Sequence, residues 1–237
     1  MPASLLNNPF SRLFCRSIFL VSNRCEVMGL EHLPKRHDGV ILACTHLSHY
    51  DPFCISTLSR RHVEWMARIE SFKTPMSEWL TRNSHAFAVD RFGFALPGIR
   101  EALRRLDRGG LVGIFPEGEV MDEQTSALTR GELKAGVGLL ARRSGAPVIP
   151  CVVLNSQQFS NVTPWLPLRA GRLWVGFGPP LYADAELPHG RDSRWELTQR
   201  LHASLREVYS GLLETYDVPP EALPRRAADA SAPAAAA

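Results

Sequence analysis

The chain of 237 residues has no cysteines in CxxC spacing, no apolar run long enough to span a bilayer, no dense run of lysine and arginine, and no internal repeat. Its five cysteines (Cys15, Cys25, Cys44, Cys54, Cys151) are scattered and odd in number, which argues against a closed disulfide framework and a structural zinc site. They read as reduced thiols, and the compartment as cytoplasmic. In the N-terminal segment SLLNNPFSRLFCRSIFLVSNR, Arg12, Arg16 and Arg24 break up the apolar residues. The longest uncharged stretch there, SIFLVS, falls far short of the ~20 residues of a spanning helix. No small-residue cleavage site follows it, so a secretory signal is not expected either. The formal net charge of +3 is too small and too dispersed for a nucleic-acid footprint. Mild basicity suits an anionic membrane surface or a phosphorylated ligand instead.

Apolar residues at 45% and charged residues at 22% describe an ordinary globular chain, with a length suited to one domain. Short runs rich in β-branched residues recur at GVILACT (39–45), HVEWMA (62–67), HAFAV (85–89), GLVGIF (110–115), PVIPCVV (147–153) and RLWVGF (172–177). Helical spacing is read over 52–60, 74–83, 96–108, 132–144 and about 193–215. This alternation predicts an α/β fold: a single domain with a largely parallel sheet flanked by helices. Phe10, Leu13, Phe14, Ile18, Phe19 and Val21 stand among arginines and describe either a membrane-interface helix or a first helix docked on the protein's own core. The organisation assigned is an N-terminal membrane-interface arm over 1–25, a domain over 26–218 and a disordered tail over 219–237, where bulky apolar residues run out.

The motif THLSHYDP (45–52) follows the first strand run, where ligands bind in parallel sheets. It has three readings. His46, His49 and Asp51 resemble the HxHxDH loop of metallo-β-lactamase-like hydrolases, but the spacing here is HxxHxD and the following acid-histidine pair is missing, so no metal is assigned. A solvated or capping role is the bland alternative, and Asp51 before Pro52 suits a helix N-terminus. The third reading is a general base. An Asp five residues after a His can fold back across a strand-to-helix turn, hold one ring nitrogen and stabilise the imidazolium while the other nitrogen removes a proton.

HLSHYD resembles the HxxxxD signature of the glycerolipid acyltransferase family, which includes glycerol-phosphate and lysophosphatidic acid acyltransferases. VMGLEHLP (27–34), VDR (89–91), FPEG (115–118), LKAGVGLLA (133–141) and PVIPCVV (147–153) resemble blocks of that family in the same order. HxxxxD alone is a weak pattern, whereas the ordered set is a strong one. The resemblance implies acyl transfer from a thioester of coenzyme A or acyl carrier protein to a lipid hydroxyl. It also implies His46 as general base, Asp51 as its orienting partner, and neither metal nor cofactor. His49 falls at a variable position of the signature and is given no catalytic role.

The same resemblance associates Arg91 with the acceptor's phosphate, which a guanidinium can grip with two parallel donors. Gly118 would let backbone approach a ligand, and Glu117 would orient a polar group or pair with Arg91. Glu119 and Val120 depart from the Thr-Arg or similar polar pair that often follows FPEG, so Lys134 and Arg130 are the candidate sources of the missing positive charge. The expected partners are an acyl-CoA or acyl carrier protein donor, a lysophospholipid acceptor and the inner face of the membrane, with no nucleic acid. A different hydroxylated lipid, such as an ornithine lipid or glycolipid precursor, is the alternative acceptor. A lipid-binding module that has lost activity is the alternative class, and the presence of both His46 and Asp51 argues against it.

Overall fold

In a computed structural model the chain is described over residues 17, 19–34, 38–59, 61–68, 86–89, 96–121, 126–129, 132–159, 171–184 and 191–223. The apolar runs become the strands β1 (Asn23–Met28), β2 (Val40–Cys44), β3 (Val63–Arg68), β4 (Phe87–Val89), β5 (Leu111–Ile114), β6 (Val148–Leu154) and β7 (Gly171–Phe177). They form one seven-stranded sheet in the order β1-β7-β6-β2-β5-β3-β4. All neighbours pair in parallel except β6 with β7, so β1 and β7 run against the other five strands. The loops after β2 and β5 therefore leave the same rim of the sheet from adjacent strands.

The sheet is covered by α1 (Asp51–Leu58), α2 (Leu96–Asp107), α3 (Gly136–Ser144) and α4 (Arg191–Thr215), and residues 19–22 before β1 are helical as well. Strand periodicity sorts the core into two faces. Ile41 and Ala43 of β2 face a cluster that includes Ala102, Leu140, Leu201 and Leu205, while Val40, Leu42 and Cys44 face one that includes Phe19, Cys54, Ile55 and Trp65. In α4, Leu197, Leu201, Leu205, Val208 and Leu212 are buried at helical spacing, forming the stripe that seals β6 and β7. Each such side chain contributes roughly 1.5–3 kcal/mol of burial free energy.

The structure differs from the sequence reading at several places. The boundary expected at residue 25 falls inside β1, whose first three residues already pair with Gly171, Arg172 and Leu173. Phe19 is buried and meets Phe53 of α1 edge to face at 5.4 Å, so the end of the arm docks on the core, while Leu20 and Val21 are exposed. Residues 219–223 are packed: Pro220–Ala222 forms a 3-10 turn with Ala222 buried. The helix read over 132–144 begins only at Gly136: Ala135 is its N-cap, with its carbonyl accepting the Leu139 N–H at 3.3 Å, and upstream of it the Lys134 N–H bonds the Pro116 carbonyl at 2.9 Å and Leu133 is buried. The helix read over 74–83, most of the arm and the tail from 224 lie outside the described residues. Among the described residues no helix is long and apolar enough to cross a membrane.

Candidate active site

β2 is buried throughout its length and delivers Thr45 and His46 to the rim. The chain then turns through Leu47–Tyr50 into α1, where Pro52 stands in the first turn; its missing N–H costs nothing there. The turn is closed by one carboxylate oxygen. Asp51 Oδ2 accepts from His46 Nδ1 at 3.0 Å, from the Leu47 N–H at 2.8 Å and from the Ser48 N–H at 2.9 Å. Asp51 is fully buried and His46 keeps 13% of its side chain exposed. A carboxylate only accepts, so Nδ1 carries the proton and Nε2 is left as the basic nitrogen. The capping role expected of Asp51 takes a different form: Tyr50 occupies the N-cap and its side chain makes no capping bond, while Asp51 caps the loop upstream of it.

Glu117 is likewise fully buried. Continuing the parallel register of Ala43 with Ile114 sets His46 beside Glu117. Glu117 Oε2 accepts the His46 N–H at 2.6 Å, and Oε1 accepts the Ala127 N–H at 2.7 Å and the Ser126 hydroxyl at 3.0 Å. The His46 carbonyl accepts the Met121 N–H at 2.7 Å. Glu117 thus holds the histidine's main chain; the pairing with Arg91 expected of it lies outside the described residues. Burial pushes its carboxyl above the ordinary glutamate value, and the three hydrogen bonds and His46 offset only part of that rise.

A pH test follows from that shift. A raised carboxyl pKa means the folded state binds the proton more tightly than the unfolded chain, so this group's contribution is greatest at low pH. It declines as pH rises from the ordinary glutamate value to the raised one. Urea unfolding across that interval is expected to show wild type losing stability relative to Glu117→Gln; parallel curves would remove the titration from Glu117.

The imidazole of His46 lies flat on the Phe115 ring, centroids 3.8 Å apart and planes at 16°. His49 is exposed and meets His46 edge to face at 6.5 Å, outside the pair with Asp51. Gly118 has φ +85° and donates its N–H to the Phe115 carbonyl at 2.9 Å, a tight turn that an L side chain strains. Lys134 is exposed immediately behind that turn. Burial raises the Cys44 and Cys54 thiols well above their ordinary value, so neither neighbour is poised as a nucleophile. Among the described residues no group of three or more His, Cys, Asp or Glu is placed to hold a metal ion.

Of the residues singled out from sequence, His46, Asp51 and Glu117 converge on one turn, with Gly118 and Lys134 in the adjoining loop. Arg91 and Arg130 lie outside the described residues. Sequence reasoning missed Phe115 and the Met121, Ser126 and Ala127 contacts. Phe115 stood in the FPEG motif itself, and its position one residue past a buried strand was the available signal.

A protein-family model described as Acyltransferase matches residues 24–154. The 1-acyl-sn-glycerol-3-phosphate acyltransferase of Bacillus subtilis (strain 168) is 26% identical over 190 residues, covering 79% of this chain and 89% of that protein. The crystal structure of the 1-acyl-sn-glycerophosphate (LPA) acyltransferase PlsC from Thermotoga maritima superposes with a TM-score of 0.56 at 18% identity, over 86% of this chain and 82% of that one. The structural likeness is one of fold.

Proposed function

The chain belongs to the acyltransferase family, and on that premise we propose that it moves a fatty acyl chain from an acyl-CoA or acyl carrier protein thioester to the hydroxyl of a lysophospholipid such as lysophosphatidic acid, in phospholipid biosynthesis or remodelling. The 3.0 Å contact between His46 Nδ1 and the buried Asp51 carries this reading. Nε2 of His46 removes the acceptor hydroxyl's proton as that oxygen attacks the thioester carbonyl. Asp51 stabilises the imidazolium formed. Collapse of the tetrahedral intermediate breaks the C–S bond, and the imidazolium returns its proton to the departing thiolate. No covalent acyl-enzyme is required.

The acceptor assignment rests on the Bacillus subtilis relative, whose name specifies 1-acyl-glycerol-3-phosphate, and on Arg91 as the phosphate ligand. A specific observation favours a second reading with a phosphate-free acceptor: the exposed acid Glu119 directly follows Gly118, where a phosphate would call for a cation. Peripheral attachment to the inner face of the membrane draws support from Leu20, from Val21 at 88% exposure and from the exposed Arg24, all beside the anchored Phe19.

Thiol release from both donors, assayed against lysophosphatidic acid, other lysophospholipids and phosphate-free lipid alcohols, tests the function. Release that depends on a phosphorylated acceptor supports the leading reading. In that case Arg91→Ala raises KM for this acceptor with little change in kcat. An equal effect on phosphate-free acceptors would move Arg91 into the scaffold, and turnover confined to phosphate-free acceptors would select the second reading.

A further inference from the structure

Three rings lie in a column across three adjacent strands. His46 follows β2, Phe115 follows β5 and Trp65 belongs to β3. Phe115 stacks on His46 on one side and on Trp65 on the other, the second pair with centroids 4.7 Å apart and planes at 7°. Trp65 is 2% exposed, so the far end of the column is sealed in the core. Its indole N–H donates to Ser56 Oγ at 2.9 Å, and Ser56 stands on α1, the helix that begins with Asp51. The contacts close a loop: His46 to Asp51, along α1 to Ser56, then through Trp65 and Phe115 back to His46.

Gly113 makes room for the column. It is the direct partner of Trp65 across the β3–β5 pairing. A Cβ there would meet Trp65 Cε3 at 2.5 Å and Cζ3 at 2.7 Å, so only glycine lets the indole lie over β5 in the plane that Phe115 needs.

We propose that Trp65, seated in the space left by Gly113, is a positioning residue for His46 and acts through Phe115. Asp51 fixes one edge of the imidazole but leaves it free to rock about that hydrogen bond. A flat aromatic surface beneath the ring removes this freedom, and a surface clamped from behind removes it more completely. Nε2 is thereby held on a single line toward the acceptor hydroxyl. This rests on His46 being the general base and adds a residue two rings away from the chemistry.

The test compares Trp65→Leu, Gly113→Ala, Ser56→Ala and Trp65→Phe with wild type and His46→Ala. Steady-state kinetics are read beside the His46 Hε1 resonance, which is assigned by its loss in His46→Ala and is expected upfield from the stacking on Phe115. A misplacement of about 1 Å can cost about 10²-fold in rate. Trp65→Leu and Gly113→Ala are accordingly expected to lower kcat by about 10- to 100-fold, with KM for donor and acceptor within about twofold and the resonance moved downfield. Trp65→Phe restores a flat ring and is expected to stay within about threefold of wild type, with Ser56→Ala between the two. If Trp65→Leu does not fold, Gly113→Ala and Ser56→Ala carry the comparison with Trp65→Phe. An inactive His46→Ala beside Trp65→Leu or Gly113→Ala at wild-type kcat overturns the positioning role alone. A failure of Trp65→Phe to rescue kcat also overturns it. Full turnover by His46→Ala removes the general base and the proposal with it, even where the resonance shifts as expected.

Discussion

Replacing His46 with alanine is expected to lower kcat by about 10²–10⁴-fold, the usual worth of a positioned general base, while thermal unfolding changes little. The fold does not depend on the ring. The main-chain bonds that fix the turn, from the His46 N–H to Glu117 and from the Met121 N–H to the His46 carbonyl, do not use the imidazole. What is lost in packing is the stack on Phe115, worth about 0.5–1.5 kcal/mol in aromatic pairs. Measured kcat within a few-fold of wild type, from protein that unfolds normally, would sink the assignment of His46.

Asp51→Asn is expected to match or exceed that loss, toward the roughly 10⁴-fold seen when the orienting aspartate of a catalytic triad becomes asparagine. A neutral amide no longer stabilises the imidazolium and no longer selects the tautomer with its proton on Nδ1. Unlike His46→Ala, this substitution also strikes stability. Among the described residues Asp51 Oδ1 is buried without a hydrogen-bond partner, so the new NH₂ either occupies that place unpaired or displaces the oxygen that holds Leu47 and Ser48. An unsatisfied buried donor costs about 1–3 kcal/mol. The pair of variants therefore separates chemistry from architecture: both are nearly inactive, but only Asp51→Asn has a clearly lowered Tm. Equal melting temperatures would show that the Oδ2 contacts do not hold the turn.

Much of the sheet was legible because its strands are buried on both faces and read as unbroken apolar runs; β2 and β6 are the clearest cases. β1 was not, since Arg24 and Glu26 alternate with Cys25 and Val27 and the segment passed for the end of an arm. Its identity as a strand comes from pairing with β7, some 150 residues away in the chain, where Arg172 and Trp174 bind Glu26. The start of α3 was also misplaced: 132–135 continue the helical spacing in sequence, but in the fold the Lys134 N–H bonds the Pro116 carbonyl and the first intrahelical bond runs from the Leu139 N–H to the Ala135 carbonyl.

The sequence by itself determined the α/β class and the strand-to-helix turn that carries the histidine, and it offered the pairing of His46 with Asp51 as one of three readings of that turn, the one the family resemblance implies. These are local properties: burial periodicity dictates the class and the turn, and a five-residue reach across that turn permits the pair. The tertiary structure alone decided what surrounds the pair. Glu117 holds the His46 main chain, Phe115 lies under its ring, and Trp65 sits behind Phe115 in the gap at Gly113. Each of these depends on which strand neighbours which, and in what register. The order β2-β5-β3 places side by side segments that the chain separates by tens of residues, and no local pattern of side chains encodes that adjacency.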